Sequence, residues 1–244
     1  MSAVKVEFWS EVTCPWCGLG SHRLDKAVER FEHREEVELV HRSLPLFDDV
    51  PDAAVVSVRQ ALKQAHHLPD DRVEEGPRRV EALAAREGLA PYNVLENVVG
   101  NTWRAHEFLA YASAQGKNRA AWDRIFTAYY GETRSVFTID ALVELAPDLG
   151  LDPAETRQAL DEGRFRQQVL DEARRARSLG ATGTPFIFID GQYALPGVQD
   201  TATLLRALRQ AWDEPRPAAA AADAGTSQCG PDGCPLPATH AART

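Results

Sequence analysis

The chain has 244 residues, 44% of them apolar and 26% charged, ordinary globular values that exclude a wholly disordered or fibrous chain. Lys and Arg number 27 against 36 Asp and Glu, a formal net charge of −9, so no nucleic-acid partner and no anionic membrane partner is expected. No apolar run reaches membrane-span length, and the first residues lack a basic stretch followed by an apolar one, so the expected location is a reducing cytoplasm.

Lys5 to Ser10, following Val4, reads as a short strand, with Val4, Val6 and Phe8 alternating and Trp9 adding β propensity. A polar turn through Thr13 leads into a helix from about Cys14 to Phe31, whose apolar face is Leu19, Leu24, Ala27, Val28 and Phe31. Val37 to Leu44 reads as a second strand, so the first segment is a parallel βαβ unit with a right-handed crossover. From about 48 to 163 helix follows helix. Ala105, Phe108, Leu109 and Ala112 keep the i, i+3, i+4, i+7 spacing, as do Trp122, Ile125, Phe126 and Tyr129, and Leu142, Leu145, Ala146 and Leu149. Asp152-Pro153-Ala154-Glu155 supplies an N-cap, a first-turn proline and a reach-back carboxylate.

A charged helix from about Arg164 ends at Gly180. Phe186–Ile189 and Gln192–Leu195 then flank Asp190-Gly191 as a hairpin with a two-residue turn, and Asp200 caps a last helix. After Glu214 the composition turns to Pro, Ala, Gly, Ser and Thr, which cannot bury enough apolar surface to order itself.

Cysteines occur at 14, 17, 229 and 234 only. In a reducing compartment such residues are redox-active, catalytic or metal-binding more often than structural staples. Cys14-Pro15-Trp16-Cys17 falls where a strand hands over to a helix. The unpaired N–H groups and partial positive charge of a first helical turn favour a thiolate, which is the attacking species in thiol–disulfide exchange. Cys14 is therefore the expected attacking sulfur, acidic relative to a free thiol, and Cys17 lies nearly one turn further on. The same spacing also suits half a zinc site or two ordinary buried thiols. Gly183-Thr184-Pro185 precedes the Phe186 strand; it reads as a plain loop–strand junction or as a cis Thr184–Pro185 bond that offers Thr184 backbone groups to an extended peptide.

Taken in order, strand, C-x-x-C helix, strand, helical insertion, helix, Thr-Pro, hairpin and helix resemble the DsbA-like thioredoxin-fold oxidoreductases, and within them the cytoplasmic FrnE-like branch. The resemblance rests on 11–17 (Glu-Val-Thr-Cys-Pro-Trp-Cys), 101–106 (Asn-Thr-Trp-Arg-Ala-His) and 180–186 (Gly-Ala-Thr-Gly-Thr-Pro-Phe), and it covers about residues 4 to 212. It implies Cys14 as nucleophile, Cys17 as resolving thiol and Pro185 as the cis-proline facing them; Thr184, Pro185 and Trp16 are the expected substrate-binding residues. Periplasmic DsbA has a histidine before its second cysteine where this chain has Trp16, so strong oxidising power is not implied.

Glu11, three residues before Cys14, reads either as a proton acceptor for Cys17 or as a solvated loop carboxylate. His22 reads as a surface histidine rather than a base, Asn101 as a helix cap, and His66-His67 as part of a solvated face. Cys229 and Cys234 enclose a turn-forming Gly-Pro-Asp-Gly, which suits a local disulfide that exchanges with Cys14 and Cys17. Unpaired thiols, or a metal clip with His240, fit the same residues.

The expected fold is α/β: a discontinuous thioredoxin-like domain (1–47 and 164–213), an all-helical insertion (48–163) and a flexible tail (214–244). The expected function is a thiol–disulfide oxidoreductase or isomerase that needs no dissociable cofactor and no metal, because the dithiol itself carries two electrons. Its partners are a disulfide-containing protein or small-molecule thiol and an external thiol reductant; nothing in the sequence sets an oligomeric state. Rival readings are an enzyme like the kappa-type glutathione transferases and hydroxychromene-carboxylate isomerases, and a zinc-binding or redox-sensing interaction protein.

Overall fold

The computed structural model describes residues 3–46, 51, 54–66, 69 and 72–214. It opens with β1 (Val4–Ser10), α1 (Pro15–Glu29) and β2 (Val37–Ser43), and β1 and β2 pair in parallel from Val4 opposite Val37 to Ser10 opposite Ser43. The chain next passes through β3 (Val55–Ser57), α2 (Val58–His66), α3 (Glu75–Arg86), β4 (Val98–Gly100), α4 (Trp103–Ala114) and α5 (Asn118–Phe126). It continues through α6 (Ile139–Val143) and α7 (Pro153–Asp161) and returns by α8 (Arg166–Ser178), β5 (Phe186–Ile189), β6 (Tyr193–Pro196) and α9 (Thr201–Asp213). The main sheet runs β2-β1-β5-β6, with β5 antiparallel to both β1 and β6.

The alternation along β1 decides its two faces. Val4, Val6 and Phe8 pack on Leu24 and Ala27 of α1 and on Leu204 and Leu208 of α9. On the other face Trp9 packs on Ala173 and Ala176 of α8, and its indole N–H donates to the Glu172 carbonyl over 3.1 Å. Glu7 on that face is buried but accepts from Arg42 of β2 (3.3 Å) and Arg175 of α8 (2.6 Å), which offsets the cost of placing a carboxylate there. The outward N–H of His41 on β2 donates to Asn118 Oδ1 (2.9 Å), and Asn118 Nδ2 donates back to the His41 carbonyl (3.0 Å). The Ser43 N–H donates to Glu172 Oε2 over 2.8 Å.

Phe108, Trp122, Ile125, Tyr130 and Leu142 form the core of the inserted segment, and Val12, Cys17 and Leu19 belong to that same core. The start of α1 is therefore packed by the insertion as much as by the sheet.

Several local expectations are revised. To the all-helical insertion the structure adds the antiparallel β3/β4 ribbon, whose three-residue strands are too short to show alternation. The stretch from Leu142 to Leu149 is not one helix: α6 ends at Val143 and Pro147, which has no N–H to donate, opens a separate 3₁₀ turn to Leu149. Trp122 to Tyr129 begins as α5 but widens after Phe126 into a π-helical turn over Thr127–Gly131. Ile189 stands opposite Tyr193, so the hairpin loop has three residues rather than two. The Asp190 N–H bonds the Lys5 carbonyl (2.8 Å) and its side chain accepts from the Lys5 N–H (2.7 Å), which pulls the turn toward β1. Asp152 does cap α7, accepting from the Glu155 N–H over 2.8 Å, but the Glu155 carboxylate pairs with Arg164 instead of reaching back.

Candidate active site

Cys14 is the N-cap of α1, in extended conformation, with Pro15 at the first helical position, where its missing N–H breaks no bond. The Cys14 N–H donates to the Glu11 carbonyl (3.2 Å) and the Cys17 N–H to the Cys14 carbonyl (2.9 Å), so the loop closes directly into the first turn. Both cysteines carry free thiols; Cys14 is half-buried and Cys17 fully buried.

The two sulfurs are pushed in opposite directions. A hydrogen bond from the Cys17 thiol, acting with Thr184 and the Cys17 and Trp16 N–H groups, outweighs burial and lowers the Cys14 pKa below its ordinary value. Burial first, then the Cys14 charge beside it, pushes Cys17 well above its ordinary value. The pair thus places its first negative charge on Cys14, the less buried of the two residues.

Thr184–Pro185 is cis, and Ala90–Pro91 is a second cis bond that the sequence reading did not anticipate. The Thr184 carbonyl lies 3.7 Å from Cys14 Sγ, and Pro185 is buried against α1, near enough to Gly20 that a Cβ there would sit 3.6 Å from the proline ring. The Pro185 carbonyl accepts from the Gly197 N–H (2.8 Å), which ties the Thr-Pro turn to the hairpin. Cys14, Cys17, Thr184 and Pro185 therefore come together.

Glu11 is not a solvated loop carboxylate. It is fully buried and accepts from the Thr13 N–H (3.0 Å), the Leu46 N–H (2.9 Å) and the Thr102 hydroxyl (3.0 Å), while His106 Nε2 lies 3.6 Å away. Burial alone would raise its pKa; His106 and the Thr13 and Leu46 N–H groups outweigh burial and hold the carboxyl below its usual range. Thr102 and His106 belong to the 101–106 motif of the insertion, so that motif docks on the loop that delivers Cys14. Asn101 Oδ1 accepts from the Trp103 N–H (2.9 Å) at the start of α4.

Two tyrosines near the cysteines carried no sequence motif. The Tyr92 hydroxyl donates to the Pro15 carbonyl over 2.6 Å, and its ring stacks on Tyr130 with centroids 4.4 Å apart. A Cβ on Gly18 would lie 2.4 Å from the Tyr92 hydroxyl, so this approach requires glycine. The π-helical turn presents Tyr129 and Tyr130 side by side to a cavity of about 410 Å³ whose wall includes Cys14 and Trp16. His22 is half-buried, with Nε2 3.1 Å from the Glu87 carbonyl.

Cys229, Cys234 and His240 lie outside the described residues, as does the His67 part of the His66-His67 pair. Among the described residues no group of three or more His, Cys, Asp or Glu is arranged to hold a metal ion, and no helix is long and apolar enough to cross a membrane.

The pattern that defines the DSBA-like thioredoxin domain matches residues 5–209. The crystal structure of a probable DsbA oxidoreductase, SCO1869 of Streptomyces coelicolor, is 36% identical, with a TM-score of 0.84 over 96% of this chain and 100% of that one. A 2-hydroxychromene-2-carboxylate isomerase shares the fold at 18% identity and TM-score 0.60, over 84% of this chain and 95% of its own. The cytosolic disulfide reductase DsbM of Pseudomonas aeruginosa shares it at 21% and 0.51, over 85% and 94%.

Proposed function

The chain belongs to the DSBA-like thioredoxin family, and from that membership we propose that it exchanges disulfides through Cys14 and Cys17. The observation that carries this reading is the asymmetry of the pair: an acidic thiol on the partly buried Cys14 at a helix N-terminus next to the fully buried, reluctant Cys17. The Cys14 thiolate attacks a substrate disulfide, forms a mixed disulfide and expels one substrate thiolate. Cys17 loses its proton and attacks Cys14 Sγ, releasing the second substrate thiol and leaving a Cys14–Cys17 disulfide. An external thiol reductant restores the dithiol. In a reducing cytoplasm the net direction is reduction or isomerisation.

Thr184 and Pro185 line the approach to Cys14, and Trp16 flanks it. Glu11, held below its usual range, is a weak base and serves to order the 11–14 loop rather than to accept the Cys17 proton. Cys229 and Cys234, as an auxiliary dithiol, would be read out by deleting 215–244 and measuring turnover.

Reduction of insulin by the reduced protein tests the proposal. Cys14→Ser should abolish it, and full activity in that variant would remove Cys14 from the reaction. Glutathione-dependent activity that survives Cys14→Ser with Cys17→Ser would instead favour the isomerase and transferase branch. Stoichiometric zinc on anaerobically purified protein, lost with Cys229→Ser, would favour the metal-binding reading.

A further inference from the structure

The cavity beside Cys14 differs in character from the Thr184–Pro185 face. It lies in the inserted segment, walled by Val58, Leu62, Pro77, Val80 and Val94 as well as Trp16, and its volume of about 410 Å³ falls in the range of small-ligand pockets. The other carboxylate and hydroxyl groups on its wall are already engaged. Glu11 accepts from the loop and from Thr102, the Thr13 hydroxyl is 3.3 Å from Glu11, and the Tyr129 hydroxyl donates to the Val98 carbonyl over 2.5 Å. Tyr130 is the exception: its hydroxyl is buried with no hydrogen-bond partner among the described residues, and the residue is 1% exposed. Burial, with Tyr92, Tyr129 and the two cysteines nearby, pushes this phenol well above its ordinary pKa, so it stays an O–H donor. A buried donor left unpaired is costly, and it sits on a π-helical turn, a distortion that recurs at functional sites.

We propose that this cavity binds a small apolar disulfide bearing one hydrogen-bond acceptor, with its sulfur at Cys14 and its acceptor opposite the Tyr130 hydroxyl. The proposal rests on the redox reading of Cys14. The Cys14 thiolate attacks the sulfur of the half held in the cavity, the S–S bond breaks, and the other half leaves as a thiolate. Cys17 gives up its proton and attacks Cys14 Sγ, which frees the bound half as a thiol. The substrate gains two electrons, the cysteine pair loses them, and a thiol reductant such as dithiothreitol returns them.

The test compares 4,4′-dithiodipyridine, whose ring nitrogen is the acceptor, with diphenyl disulfide, which lacks it, and with insulin. Gly76 lines the cavity, and a Cβ there meets nothing within 4 Å, so Gly76→Phe fills space without a clash at its own backbone. The ratio of kcat/KM for 4,4′-dithiodipyridine to that for insulin should fall about tenfold in Gly76→Phe, the order of one well-filled apolar contact. In Tyr130→Phe the preference for the pyridyl over the phenyl disulfide should fall by about threefold to tenfold, the worth of one ordinary hydrogen bond. Unchanged ratios in both variants, or an equal loss on all three substrates, would overturn the cavity assignment while leaving Cys14 its role. A wild-type protein that reduces none of the three would instead overturn the redox reading on which the assignment stands.

Discussion

The Thr102 hydroxyl donates to the Glu11 carboxylate over 3.0 Å, a contact between residues 91 positions apart. It joins the entry of α4 to the loop that ends at Cys14, in a place where neither group reaches water. Thr102→Val should cost about 1–3 kcal/mol, the range for a buried acceptor losing its partner, and Thr102→Ser should restore most of it. Urea unfolding followed by circular dichroism measures both; equal stability of the valine variant and the wild type would show that the bond contributes nothing.

Glu11 also gives stability a pH signature. Its carboxyl titrates below the ordinary value of 4.5, so its contribution is complete above that value and is lost as pH falls through the lower folded pKa. Glu11→Gln should reduce stability at neutral pH and flatten the acid limb below about pH 4.5. An acid limb of unchanged slope in the variant would contradict this.

His41 acts over a different window. Burial first, and the Arg119 charge second, depress its pKa from 6.5 to about 3, and its ring packs between Phe8 and Trp122 with neither nitrogen bonded among the described residues. The stability tied to the neutral ring is complete above 6.5 and is lost as pH falls toward 3. The slope should approach about 1.4 kcal/mol per pH unit within that window. His41→Phe should remove this slope between about pH 6 and pH 5, a region where Glu11 is silent.

The leading cause of the acidity of Cys14 is the hydrogen bond from the Cys17 thiol. Cys17→Ala should therefore raise the Cys14 pKa, slow its alkylation by iodoacetamide near neutral pH, and accumulate mixed disulfides through Cys14. Thiolate ultraviolet absorbance against pH reads the shift. A Cys14 that titrates unchanged in Cys17→Ala would assign its acidity to Thr184 and the N–H groups of the first helical turn.

Gly18 and Tyr92 form a testable pair. Gly18→Ala places a methyl group 2.4 Å from the Tyr92 hydroxyl and should displace it from the Pro15 carbonyl, with an overpacking cost of about 1–3 kcal/mol. Tyr92→Phe should cost about 1 kcal/mol. Because both act on one contact, the double variant should lose less than the sum. Strict additivity would mean that alanine at 18 is accommodated elsewhere.

What the sequence made legible was short in range. Cys14 and Cys17 at a strand–helix junction, Thr184-Pro185 ahead of Phe186 and the Asp200 cap each declare themselves within a few residues. The role of Glu11 did not, because its partners Leu46, Thr102 and His106 reach it only through the fold. Tyr92 had no motif at all. Tyr129 was legible as part of the apolar 122–129 spacing, but Tyr130 was not, because the π-helical turn over Thr127–Gly131 that buries it beside Tyr129 leaves no local signature. Pro147 was visible inside the 142–149 pattern, and its missing N–H outweighed the apolar spacing.

The side chains of Asn118 and Glu172 bear on how molecules of this protein meet one another. An outermost strand with free amides is a template on which a neighbouring chain can add, the first step of edge-to-edge aggregation. On β2, Asn118 occupies both pairing groups of His41 and Glu172 takes the amide of Ser43, so an incoming strand finds these positions filled. The opposite border of the sheet, β6, is four residues long and ends in Pro196, which has no amide to offer. Asn118→Ala should therefore unblock His41 on the longer border, and light scattering at elevated concentration would register any self-association that follows.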